Sequence, residues 1–219
     1  MYFVKGIIPE LCDENGGPNR KFIVRMQIIK LQDIEEMIMK MFDDEAPPDL
    51  YFHNSSLVRN ISTQVDLISN AEKLPEEEYV HLKLASLFLM TGFITDYEKP
   101  MEESIRLVEE VLPKYGFTRD NSDAVRRIIK NSFTDNPETL ADYILNDARY
   151  DYLGRVDYMK LTDKLLRELS AYGKNVDRKK WIGIQKKYLF DHKFITNTAR
   201  LLRTIAMDDQ VTALEASVE

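Results

Sequence analysis

The stretch HLKLASLFLMTGF, which runs from His81 to Phe93, decides the fold that we expect for this chain. Its run of apolar side chains predicts a helix that is buried rather than one that lies on the surface. Pro75 and the three glutamates after it open this helix, because Pro fits the first helical turn and the helix dipole favours acidic side chains there. The pair Thr91-Gly92 ends the helix in a tight turn.

Apolar residues elsewhere recur at three- and four-residue spacing, which predicts further amphipathic helices. Met1 to Ile8 is compatible with a short strand, but a lone strand would have no partner. We therefore expect an all-α chain, with residues 1–45 as an N-terminal helical extension, 46–207 as the main domain and 208–219 as a flexible tail. The predicted helices cover approximately residues 20–42, 54–72, 75–90, 100–112, 122–133 with Ser122 as its N-cap, 137–148, 156–172 and 177–207.

Composition excludes several classes of protein. The net charge of −7 disfavours a general binder of nucleic acid or of anionic membranes, because both need clustered Lys and Arg. No apolar segment approaches the roughly 20 residues that a membrane span requires, and the first residues lack the apolar run of a signal peptide. The single cysteine, Cys12, rules out an internal disulfide and a Cys-based zinc cluster. We expect a cytoplasmic protein.

Four short segments occur in a characteristic order and are followed by a fifth near the C-terminus. They are YFHN at Tyr51–Asn54, ASLF with TGF at Ala85–Phe93, LPKYGF at Leu112–Phe117, ILNDARYDYLGR at Ile144–Arg155, and HKFIT at His192–Thr196. In this order they resemble the HD-domain superfamily of metal-dependent phosphohydrolases, over roughly residues 51–203. In that family a helical bundle holds a divalent metal by a His, then a His-Asp pair, then a later Asp. The resemblance implies an HD-like bundle for residues 46–207.

The departures from the family pattern concern the metal. The first His would fall at Leu57 and the His-Asp pair at Leu89 and Met90, so that only Asp147 matches a ligand position. One carboxylate cannot hold a divalent cation against water, and without the metal there is no metal-activated water. The resemblance thus implies a remnant pocket with no catalytic residue, no metal ligand and no cofactor. Its candidate ligand-binding residues are His53, Leu57, Leu89, Met90, Asp147 and Asp151.

The remaining acidic candidates have simpler interpretations. A buried Asp147 needs a partner or solvent, and the basic residues that the fold would bring near it are Arg59, Arg126, Arg127 and Lys130. Asp151 and Arg155 stand one helical turn apart, which favours a surface ion pair.

Histidines and basic residues give weaker signals. His53, His81 and His192 include no pair at helical i, i+3 or i, i+4 spacing, so no helical zinc site is predicted. We expect His53 in a turn or cap beside the pocket, His81 on a helix surface, and His192 packed or solvated. The basic run around Trp181 is compatible with a phosphate-rich ligand, but a solvated helix face with Trp181 packed inward is favoured.

Two functions of different class follow. The first is a bacterial HD-like pseudoenzyme that acts in ligand binding, signalling regulation or protein interaction. The alternative is a divergent HD-family phosphohydrolase that acts on a nucleotide or other phosphate ester, with a divalent metal held by residues outside the matched segments. Candidate partners are a second copy or another protein through the N-terminal helices, where Met26, Met37, Met39 and Met41 form either a contact surface or core, and a small phosphate-containing ligand. A membrane or a nucleic acid is not expected.

Overall fold

The apolar stretch around His81 forms the centre of the molecule. A computed structural model describes residues 19–216, apart from the side chains of residues 21–22, 204–208 and 215–216. Within these residues the chain forms ten α-helices and no strand, which confirms the all-α class; the HD-like assignment stays a prediction. The helices are α1 (Arg20–Glu45), α2 (Ser55–Ala71), α3 (Glu76–Phe88), α4 (Gly92–Thr95), α5 (Pro100–Val111), α6 (Arg119–Phe133), α7 (Leu140–Arg149), α8 (Tyr158–Ala171), α9 (Arg178–Asp191) and α10 (Asn197–Ala216).

Helix α3 is surrounded by other helices. It packs against α1, α2, α5, α6 and α7, and Leu82, Leu84, Leu87 and Phe88 have no exposed surface. Because these side chains point in several directions around the helix axis, α3 is buried on most of its faces. The predicted burial of this helix is confirmed. Lys83 is buried as well, and its ammonium group reaches the carboxylate of an aspartate on α2 at 2.7 Å.

The turn after α3 depends on a glycine. The N–H of Gly92 donates to Ser104 Oγ on α5 at 2.9 Å, and that hydroxyl donates to the carbonyl of Leu89 at 3.2 Å. A Cβ atom on Gly92 would lie 1.9 Å from the carbonyl oxygen of Pro100. Glycine is therefore required here by the close approach of α4 and α5, rather than by an unusual backbone conformation.

Helix starts differ from the predicted ones at two places. Helix α6 begins earlier than expected, because Thr118 caps it and forms a capping box with Asn121; the prediction of Ser122 as the N-cap was wrong. Helix α7 begins later, because Thr139 and Asp142 form a second capping box after Pro137. Both corrections come from side chains that satisfy free N–H groups of the first turn.

The predicted last helix is divided in two. Residues 192–196 separate α9 from α10, so the single helix expected over residues 177–207 was wrong. The break is held by Asp147, whose carboxylate accepts from the N–H of Ile195 at 2.8 Å and of Thr196 at 2.7 Å. Helix α10 then continues past the boundary expected at residue 207, and Leu214 is buried.

Helix α1 packs on α3 and α2, and its buried side chains belong to the same core as theirs. Met39 is buried, Met37 and Met41 pack against the core, and Met26 is exposed. The domain boundary at residue 45 stays a prediction. The strand considered for residues 1–8 and Cys12 lie outside the described residues. Across residues 19–216, none of the helices has the length and apolar character needed to cross a membrane.

We expect Gly92→Ala to lower the free energy of unfolding by about 3 kcal/mol, because the new methyl group overlaps backbone rather than a movable side chain. The matched control is Gly183→Ala on α9, where a Cβ atom meets nothing within 4 Å; it should stabilise the chain by about 0.5–1 kcal/mol. Urea denaturation of both variants measures the difference. Equal stability of the two variants would contradict the close contact.

Candidate functional site

Glu168 on α8 is the most enclosed acidic residue among those described, with no exposed surface. Its carboxylate accepts hydrogen bonds from the N–H of Phe52 at 2.7 Å and of His53 at 3.0 Å, and from the hydroxyl of Tyr97 at 3.1 Å. A further hydrogen bond joins it to Nδ1 of His53. A buried charge is tolerated when its lone pairs are paired in this way. One side chain thus joins α8 to the turn before α2 and to the loop before α5.

The protonation of this pair follows from its contacts. Burial would raise the pKa of Glu168, but the hydrogen bond and charge of His53, with the N–H groups of Phe52 and His53, hold that pKa below its ordinary value of 4.5. The carboxylate is therefore ionised at neutral pH and needs a donor on the imidazole. Nδ1 is that donor whether the imidazole is charged or neutral, and in the neutral form Nε2 carries the free lone pair.

Aromatic rings fix the plane of the imidazole. His53 stacks on Phe93 with ring centroids 3.8 Å apart and an interplanar angle of 11°, and the ring of Phe52 meets it edge-on at 5.0 Å. Tyr97 in turn stacks on Tyr172 at 3.7 Å. His53 was expected in a turn or cap, and it does lie in the turn before α2, but its ring is held by Phe93 on one face, by the edge contact with Phe52 and at Nδ1. Such a side chain is preorganised for a contact at its remaining nitrogen.

A cavity of about 340 Å³ opens beside His53. Its wall is mainly apolar and aromatic, and the lining side chains that carry a polar group are one histidine, one arginine, one glutamine, three tyrosines and one tryptophan. It is lined by Phe52, His53, Leu57, Met90, Arg149, Tyr150, Tyr152, Leu165, Leu169, Val176, Trp181, Ile184, Gln185 and Tyr188. Side chains from α2, α7, α8 and α9 therefore enclose one space.

Three of the six predicted pocket residues, His53, Leu57 and Met90, line this cavity. Leu89 is fully buried in the core. Asp147 is buried at the α9–α10 connection, where burial raises its pKa and the N–H groups of Ile195 and Thr196 oppose that rise.

None of the four basic residues considered as partners of Asp147 has that role. Arg126 pairs with Glu109 and Asp123, and Arg127 pairs with Asp142. Main-chain N–H groups of Ile195 and Thr196 donate to Asp147, and the basic side chain whose charge acts on it is Arg200 of α10, which was not among the four considered.

Asp151 is buried, and the predicted surface ion pair with Arg155 was wrong. Its carboxylate accepts from Arg203 on α10 at 2.6 Å and from Asn60 on α2 at 3.3 Å. Arg155 pairs with Asp157 instead. The reason is local: a 3-10 turn over Asp151–Gly154 follows α7, so the helical i, i+4 spacing on which the prediction rested does not exist.

The other two histidines take part in packing. His81, expected on a helix surface, is half-buried on α3 and hydrogen-bonded to Asn121, and His192 is packed, which is one of the two states expected for it. His192 packs between Tyr150 and Phe194, and burial lowers its pKa to about 4. It lines a second cavity, of about 540 Å³, that shares Tyr150, Ile184 and Tyr188 with the first.

Trp181 is packed inward as predicted. Among the described residues no group of three or more His, Cys, Asp or Glu side chains is placed to hold a metal ion.

Sequence reasoning missed Glu168, although the chain contains a signal for it. Leu161, Leu165 and Tyr172 stand seven residues before, three before and four after Glu168, so all four lie on one helical stripe. An acidic residue at a position of an inward-facing stripe indicates a buried, paired carboxylate. Its partners lie more than 70 residues away in sequence, and no spacing rule points to them.

Comparison of the chain with protein-family models, with curated proteins and with solved structures finds no match.

We expect Glu168→Gln to lower the free energy of unfolding by about 2–4 kcal/mol at pH 7. The substitution replaces one accepting oxygen by an NH₂ group, which then faces other hydrogen-bond donors. The depressed pKa of Glu168 adds stability above pH 4.5 that is lost as the pH falls through the lower folded-state pKa. The deficit of the variant should therefore shrink in acid. Urea denaturation at pH 7 and in acid measures both effects.

The matched control is Glu98→Gln, which removes an ion pair to Lys174 from a side chain that is 66% exposed. This variant should change stability by less than about 0.5 kcal/mol. A Glu168→Gln variant as stable as this control would show that the buried carboxylate is not a structural centre.

Proposed function

We propose that this chain is a non-hydrolytic, HD-like domain that binds a small, mainly apolar molecule in the cavity beside His53. One observation carries the proposal: Leu57 and Met90, at two of the positions where the HD resemblance implies metal ligands, line a cavity of about 340 Å³ together with His53. On this proposal the position of the metal has become a binding space for an organic molecule.

The chemistry of the side chains supports this interpretation over a metal site. Leucine binds no metal, and the thioether of Met90 is a poor ligand for hard divalent ions. The two oxygens of Asp147 already accept main-chain hydrogen bonds. This set does not fit a divalent ion, and we assign no hydrolytic step to one.

The size and lining of the cavity favour a small organic ligand. Ligand pockets in proteins measure roughly 300–1,000 Å³ and are mostly apolar with a few placed polar groups. The rings of Tyr152, Trp181 and Tyr188 offer apolar area and edges or faces for ring contacts. The guanidinium of Arg149 donates to the carbonyl of Ser132 and lies 5.2 Å from the centre of the Phe133 ring, so its charge is partly engaged by the protein itself.

Binding at this place couples to the packing of several helices. The cavity wall includes Leu57 of α2, Arg149 of α7, Leu165 of α8 and Ile184 of α9, and Met90 lies two residues after the end of α3. A ligand that fills the space stabilises whichever arrangement of these helices it contacts best. Ligand-dependent packing is the physical basis on which we propose a regulatory role.

The proposal is tested with benzofuran, a neutral bicyclic probe, and with the ¹³C-methyl NMR signals of the methionines. The signal of Met90 should shift and saturate with a Kd on the order of 0.1–1 mM, because a ligand of nine heavy atoms gains limited free energy. Val176→Trp should abolish the shift, since the larger ring fills part of the cavity.

The matched control is Val156→Trp, at a position that is 100% exposed and lies outside the cavity wall. It should bind the probe as the unmodified chain does. An unmodified, folded chain whose Met90 signal moves with neither benzofuran nor its N–H analogue indole would rule the proposal out.

A further inference from the structure

We infer that the occupant of the cavity is a neutral aromatic molecule with a ring N–H or O–H group, and that Nε2 of His53 accepts the hydrogen bond from it. The inference rests on the proposed function and adds the chemical class of the ligand. It makes His53 a specificity-determining residue, with Glu168 as the residue that positions it.

The direction of the hydrogen bond follows from Glu168. Its carboxylate has no proton to give, so Nδ1 of His53 must supply the hydrogen between them. A neutral imidazole carries one hydrogen, which leaves Nε2 as an acceptor. No hydrogen bond to Nε2 occurs among the described residues, whereas both the main-chain N–H and Nδ1 of His53 are used.

The position of this acceptor is fixed before any ligand arrives. Stacking on Phe93 at 3.8 Å and the edge contact with Phe52 at 5.0 Å prevent the ring from tilting, and Glu168 prevents it from flipping. Little side-chain entropy is lost when a ligand binds to a group that is already immobile. A donor in the ligand therefore gains most of the free energy of its hydrogen bond.

The arginine and the glutamine of the wall each have a partner within the protein, whereas the buried indole N–H of Trp181 has none among the described residues. Arg149 donates to the Ser132 carbonyl, and Oε1 of Gln185 accepts from the hydroxyl of Tyr158 at 2.9 Å. A strongly anionic ligand is disfavoured next to His53, because the ionised Glu168 lies directly behind the imidazole. A cation is disfavoured by Arg149 on the cavity wall. A neutral ligand that donates a hydrogen bond is disfavoured neither by Glu168 nor by Arg149.

An aromatic body suits the rest of the space. Tyr150, Tyr152, Trp181 and Tyr188 surround it, and ring pairs add to the free energy gained by burying apolar area alone. A volume of about 340 Å³ also exceeds what a single benzene ring requires. Bicyclic molecules of the indole type satisfy both conditions.

Indole and benzofuran provide the test, because they have nearly the same shape and differ in a ring N–H against a ring oxygen. We expect indole to bind the full chain at least about tenfold more tightly at pH 8, since benzofuran leaves Nε2 without a partner or places an oxygen against it. In the ¹⁵N spectrum of the histidines, indole should shift Nε2 of His53, while the signals of His81 and His192 act as internal controls.

A His53→Phe variant keeps a ring in the same place but removes the acceptor, and it should bind both probes with equal affinity. The decisive comparison uses the unmodified chain, so the inference remains testable if this variant does not fold. Equal affinity for the two probes, an unmoved Nε2 signal on indole binding, or a doubly protonated His53 at pH 8 would each overturn the inference while leaving the proposed function standing. Failure of both probes to bind would overturn the two together.

Discussion

The carboxylate of Glu168 is the contact on which the rest of the site depends. It is a buried negative charge that is stable because four donors from distant parts of the chain converge on it. Those donors belong to Phe52, His53 and Tyr97, so one charge fixes the entry to α2, the loop before α5 and the inner face of α8. The plane of the His53 ring and the wall of the cavity follow from that arrangement.

Other buried carboxylates act in the same structural way. Asp147 holds the α9–α10 connection through two N–H groups, and Asp151 joins Arg203 of α10 to Asn60 of α2. Asp142 is engaged through one oxygen only: Oδ2 accepts from the side chains of Arg127 and Asn131 and from the start of its own helix, whereas the buried Oδ1 has no partner among the described residues. A carboxylate whose lone pairs are occupied by the protein stabilises a fold but is poorly placed to bind a metal ion or to transfer a proton. For this reason we interpret the buried aspartates in and near the HD-like segments as structural residues that hold neighbouring parts of the chain together.

The all-α class and the buried α3 could be predicted from the sequence, because apolar spacing reports burial directly. The inward position of Trp181 was also predicted, as part of a solvated helix face that the net charge of −7 favours over a ligand contact. Helix ends and charge pairs could not be predicted with the same accuracy. The partner of Asp151 lies 52 residues away on α10, and the break at residues 192–196 depends on a carboxylate from α7. The burial of Glu168 could have been predicted from its place on an inward-facing stripe of α8, but its donors are main-chain groups and distant side chains, which leave no local pattern. Contacts between distant segments can be identified only when the fold is known, whereas the periodicity of apolar residues can be seen in the sequence itself.

The central claim is that the space beside His53, Leu57 and Met90 serves an organic ligand and not a divalent metal. The most direct measurement is the metal content of the chain after mild purification from cells supplied with Mn, Fe, Ni and Zn, together with its turnover of phosphate esters. The account predicts well below one metal ion per chain and no turnover above background. A stoichiometric metal that is retained through purification and supports hydrolysis of a phosphate ester would contradict it.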